Sequence, residues 1–170
     1  MDEEELIMSH DAVDPVRPGY RTITPYLAVR DAAAAHEFYR QAFGAEVVAV
    51  LTLPSGRIMY GELRIGDSTL VVVDEMPDVG LFSPEHGGTT SLVLSGPDAD
   101  GRFARAVAAG AVAVIPVSDS FSGDRHGVLR CPFGHRWIIS CRTEAISDDE
   151  IRARWERVVM RMTQPGKSAS

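Results

Sequence analysis

Apolar and polar residues change their spacing at regular points along the chain, and the changes occur twice. Alternation over residues 21–29 predicts a strand. Phe38, Tyr39, Ala42 and Phe43 then recur at helical spacing, so residues 32–43 read as a helix, with Asp31 as its N-terminal cap and Gly44 as its stop. Strands over 46–53, 57–65 and 68–74 follow, the last two joined as a hairpin at Gly66-Asp67. The order then begins again with a strand over 90–95, a helix over 97–109 stopped by Gly110, and a strand over 112–117. A hairpin of 127–131 and 136–141 closes the second set around Pro132-Phe133-Gly134.

Residue matches support a duplication. Gly44-Ala45 matches Gly110-Ala111, Ser55-Gly56 matches Ser122-Gly123, and Gly61-Glu62-Leu63-Arg64 matches Gly127-Val128-Leu129-Arg130, all at an offset of about 66 residues. The expected organisation is a tail (1–19), a first βαβββ module (20–75), a connector rich in Pro and Gly (76–88), a second βαβββ module (89–144), and a C-terminal helix with its tail (145–170). The last helix, over 147–162, has Ser147 as its cap, Asp148, Asp149 and Glu150 at its positive end, and an apolar stripe of Ile151, Trp155, Val158 and Met162. The class is α+β.

Composition narrows the chemistry. Of 170 residues, 45% are hydrophobic and 24% charged, as in ordinary globular proteins, and no apolar run is long enough to span a bilayer. The formal net charge of −7, without a cluster of Lys and Arg, argues against nucleic acid as a partner. The acidic start, Met1-Asp2-Glu3-Glu4-Glu5, has the wrong charge for a secretory signal, which makes the cytoplasm the expected location. Cys131 and Cys141 read as reduced thiols. The chain has no Gly-rich phosphate loop, nucleophile elbow or HExxH, and Asp98 and Asp100 read as helix N-terminal residues.

Asp31-Ala32 opens a helix that ends Phe38-Tyr39-Arg40-Gln41-Ala42-Phe43-Gly44. With Gly61 to Ser68, Phe121-Ser122-Gly123-Asp124-Arg125-His126-Gly127 and Pro132 to Trp137, it resembles the vicinal oxygen chelate superfamily. That group includes glyoxalases, extradiol dioxygenases and bleomycin-resistance proteins. The resemblance covers about residues 20–150 and implies a cupped sheet with helices outside, in a homodimer that the connector allows to be swapped. The family commonly has Trp where this chain has Ser122, and the smaller residue opens that edge of the pocket.

Enzymes of the superfamily hold a divalent metal on the first and fourth strands of each module, positions that map here onto Thr24, Val72, Ser91 and Ile138. Two hydroxyls and two branched alkyls are not a ligand set for such an ion, so neither a metal nor any other cofactor is expected. Of the histidines, His36 lies on a helix, His10 in the tail and His86 in the connector, with His126 and His135 at hairpin ends.

Alternation from Thr24 inward puts Tyr26, Tyr60, Glu62, Asp74, Ser91, Arg136 and Ile138 on the pocket face, with Leu70 and Val72, and puts Phe121 and Arg125 on the rim. Such an apolar cup with aromatic faces and a few carboxylates suits an aromatic small molecule, either cationic or neutral. Two functions are open: sequestration of an aromatic natural product or antibiotic, or metal-free acid–base catalysis with Glu62 or Asp74 as base and Tyr60 as acid.

Overall fold

In the computed structural model, which describes residues 14–84 and 88–163, each repeat folds as strand, helix and three strands. His10, His86 and the outermost parts of both tails lie outside the described residues. The first module comprises β1 (Tyr26–Val29), α1 (Ala32–Phe43), β2 (Glu46–Thr52), β3 (Ile58–Ile65) and β4 (Ser68–Asp74). The second comprises β5 (Ser91–Ser95), α2 (Ala99–Ala108), β6 (Val112–Asp119), β7 (Asp124–Arg130) and β8 (Arg136–Arg142), and α3 (Asp148–Thr163) follows. Each module is a four-stranded mixed sheet, in the orders β1-β4-β3-β2 and β5-β8-β7-β6. The duplicated α+β architecture is the one the sequence predicts.

Local chemistry sets the helix ends. The Asp31 carboxylate accepts from the Ala34 N–H at 2.9 Å, and Gly44 takes the left-handed conformation (φ +69°) that ends α1. Asp98 caps α2 in the same way, through the N–H of Gly101. β1 starts later than alternation suggests, because Pro25 has no N–H to give to a ladder and offers only its carbonyl, to Val71 N–H.

Repeated glycines let the helices settle. A Cβ on Gly61 would lie 2.4 Å from the His36 ring, and one on Gly127 would lie 2.9 Å from Phe103. His36 and Phe103 each stand five residues beyond their helix caps, Asp31 and Asp98, so the two modules use the same device. His36 is buried, with Nε2 at 3.0 Å from the Val72 carbonyl, and so has a packing role.

One core serves both modules. Phe43 and Tyr39 of α1 meet Trp137 of β8 at centroid distances of 4.7 and 5.6 Å, and the buried cluster includes Leu63 and Val72 from one sheet, and Leu129 and Ile139 from the other. Each sheet therefore turns its helix side towards this shared core. No strand of one sheet is hydrogen-bonded to a strand of the other. Within one chain the eight strands thus form two separate four-stranded sheets. α3 stands apart from the other helices and strands: Trp155 meets the Phe121 ring at 5.1 Å, Arg154 pairs with Glu144 at 2.8 Å, and Trp155 and Met162 are exposed.

Candidate ligand-binding face

Strand pairing decides which residues share a face. Tyr26 and Glu62 both stand opposite Val71, and Leu51 stands opposite Tyr60, so these residues share the open face of the first sheet. Leu63 stands opposite Leu70 and Leu27 opposite Val72, on the helix side. Val72 and Asp74 thus face the helix, contrary to expectation. The physical reason is one extra residue in the second hairpin. Arg64 pairs with Thr69, whereas Arg130 pairs with Arg136, so the repeat offset is 66 before the turn and 67 after it. Ile138 corresponds to Val71, and a one-residue slip exchanges the faces.

The Asp74 carboxylate is buried and engaged through both oxygens, accepting from Ala32 N–H at 2.8 Å and Ile58 N–H at 2.7 Å. It ties the start of α1 to β3. Arg125 is also displaced from the expected rim, because it shares the helix-side parity of Gly127 and Leu129. It forms a two-pronged pair with Asp100 of α2, at 2.6 and 2.8 Å, and meets Asp119 at 2.9 Å. Phe121 lies in the β6–β7 loop against Trp155, and Thr24 precedes β1, its hydroxyl donating to the Arg21 carbonyl at 3.2 Å.

Six of the expected residues lie on open faces, three on each sheet. Tyr26, Tyr60 and Glu62 belong to the first, and Ser91, Arg136 and Ile138 to the second, where Arg136 donates to the Ser91 hydroxyl at 2.7 Å.

The first face carries the more developed chemistry. Tyr60 and Tyr20 both donate to Glu62 Oε2, at 2.6 and 2.9 Å, and their hydroxyls also meet each other. Arg17 donates to the Tyr60 oxygen at 3.0 Å and lies 4.0 Å from the carboxylate. The Tyr60 hydrogen bond, followed by those of Tyr20 and the charge of Arg17, holds the Glu62 carboxyl below the usual carboxylate range. Burial and then the bond to Glu62 raise the Tyr60 phenol above its ordinary value. A cleft of about 390 Å³ surrounds the group, with Ala49 and Leu51 as apolar wall. Sequence reading missed Arg17 and Tyr20; the available signal was Pro18-Gly19, a turn that sends the preceding chain back across the sheet.

A larger cavity, about 460 Å³, separates the modules and is lined by Thr24, Leu70, Leu94, Arg102 and Trp137. His126 lies on the second open face opposite Ser140. His135, in the β7–β8 turn, has its pKa lowered by burial.

The sequence profile of the Glyoxalase/Bleomycin resistance protein/Dioxygenase superfamily matches residues 20–139. The chain belongs to this superfamily. Among its relatives, the uncharacterized protein Rv0887c of Mycobacterium tuberculosis is 35% identical over 136 residues, spanning 77% of this chain and 80% of that one. The structure of the Arabidopsis thaliana At5g48480 gene product is 30% identical, with a TM-score of 0.57, over 71% of this chain and 98% of that one. TioX from Micromonospora sp. ML1 is 26% identical, also with a TM-score of 0.57, over 71% and 97% of the two chains.

This superfamily member has an unusual donor set for the metal of its enzymes. On β1, β4, β5 and β8 the open-face positions hold Tyr26 and Ala28; Thr69, Val71 and Val73; Ser91, Val93 and Ser95; and Arg136, Ile138, Ser140 and Arg142. No imidazole, carboxylate or thiolate is among them, and the Arg136 guanidinium brings positive charge to the place a cation would take. The residues do not fit a catalytic divalent metal. Among the described residues, no three His, Cys, Asp or Glu side chains gather closely enough to hold a metal ion. No described helix is long and apolar enough to cross a membrane.

Proposed function

We propose that the protein binds a planar aromatic cation on the open face bearing Tyr26, Tyr60 and Glu62, and holds it without chemical change. The reading fits sequestration of an aromatic natural product or antibiotic in the cytoplasm. The observation that carries it is the Tyr60–Glu62 pair: an ionised acceptor beside an aromatic ring, on a face with apolar walls. The same geometry disfavours the catalytic alternative. A carboxylate whose pKa is held down is a poor base, and a phenol whose pKa is raised is a poor acid. Asp74 is buried on the helix side, with each oxygen accepting from a backbone N–H.

A second copy of the chain completes the site in this reading. The open faces leave Leu51, Val93 and Val112 about two-thirds exposed (64%, 60% and 66%), an apolar surface that a partner's open face can cover. Ser91, Arg136 and Ile138 of one copy then supply the opposite wall.

Proflavine, a planar aromatic cation, is a direct probe. Stacking on one aromatic side chain contributes roughly 1–3 kcal/mol, so Tyr60→Ala should weaken calorimetric binding by about tenfold or more. In the same buffer, light scattering should give twice the chain mass of 18.5 kDa. Equal affinity in Tyr60→Ala, or recovery of a modified dye in proportion to protein added, would count against the proposal.

A further inference from the structure

Residues 17–20 are not a bystander to this face. Tyr20 places its hydroxyl on Tyr60 and on Glu62, and Arg17 reaches the same two side chains. The Arg17 guanidinium also stands 5.7 Å from the Tyr20 ring centroid. Behind them, the Thr69 hydroxyl donates to the Gly19 carbonyl at 2.7 Å and pins the segment to β4. Gly19 takes φ +85°, and the bend brings Tyr20 back over the sheet. A cation and an aromatic ring, supplied by the chain itself, thus occupy the acceptor of the cleft.

We infer that Arg17–Tyr20 is an internal strap that occupies the Tyr60–Glu62 site and must leave before a ligand of the same chemistry, an aromatic cation, can bind. This rests on the proposed function for the identity of the ligand. The competition is for Oε2 of Glu62, beside Tyr60. Oε2 accepts from Tyr20 as well as from Tyr60, and Arg17 stands 4.0 Å away, so a cation that approaches this oxygen over the Tyr60 ring takes the place of Tyr20 and Arg17. The strap is tethered, so its local concentration is high although its contacts are few. Apparent affinity scales with the fraction of open molecules: a strap closed about 90–99% of the time weakens binding by roughly 10–100-fold.

The test uses the full chain with Arg17 and Tyr20 both replaced by alanine. Trypsin cleavage after Arg21, which is exposed and adjoins the strap, should be at least several-fold faster in the double variant without any ligand. Saturating proflavine should accelerate the same cleavage in the unaltered protein. The double variant should bind proflavine at least tenfold more tightly, and adding Glu62→Gln should abolish that gain. Unchanged cleavage would show that the strap is not held, and unchanged or weaker dye binding would show that it does not compete; either result overturns the inference. Faster cleavage with no dye bound by either protein would instead sink the aromatic-cation reading, and leave the strap docked on a site of different chemistry.

Discussion

Replacing Asp74 by alanine should cost about 3–5 kcal/mol of folding stability, from two charged hydrogen bonds worth roughly 1.5–3 kcal/mol each. Both carboxylate oxygens accept from backbone N–H groups, of Ala32 and Ile58, and the side chain is 8% exposed. Removing the acceptor leaves two donors that the fold keeps from water. Urea unfolding followed by circular dichroism measures the loss. Proflavine affinity, corrected for the folded fraction, should stay within about twofold, since Asp74 faces the helix. A loss under about 1 kcal/mol together with lost binding would return Asp74 to the ligand face.

Trp137→Ala should be as damaging, at about 3–5 kcal/mol, for a different reason. The indole is 4% exposed and lies where the modules meet, against Tyr39 and Phe43. Its Nε1 makes no hydrogen bond within normal geometry among the described residues, so the loss is one of packing and leaves a cavity. The thermal midpoint should fall by roughly 6–20 °C. Trp137→Phe should recover most of it, because a ring still fills the junction. A fall of only a degree or two in Trp137→Ala would mean that the modules do not depend on one another.

These positions differ in how well the sequence announces them. Asp31 and Gly44 are local signals, a side-chain acceptor before a helix and a residue free to take positive φ after it, and α1 lies between them as expected. Gly61 and Gly127 were visible as a repeated pair, although only the structure shows the helix side chains that require them. Val72 and Asp74 lie on the face opposite to the one expected, because alternation carries no absolute phase and the extra residue in the β7–β8 turn shifts the internal alignment by one. Arg125 looked like a rim cation, but its partner Asp100 is 25 residues away on another element, a non-local contact that spacing cannot show. The contact of Trp137 with α1, where the modules meet, is also non-local. Tyr20 was hidden for the same reason: its partners lie about 40 residues on, across the sheet.

The open face of the first sheet as the ligand floor is tested most directly by amide and side-chain NMR during a proflavine titration. The largest shifts should fall on Tyr26, Tyr60, Glu62 and Val71, with Tyr20 shifting as the strap leaves and Leu63 and Val72 changing little. Shifts confined to Leu70, Leu94 and Arg102, around the cavity between the modules, would contradict the account and place the ligand there instead.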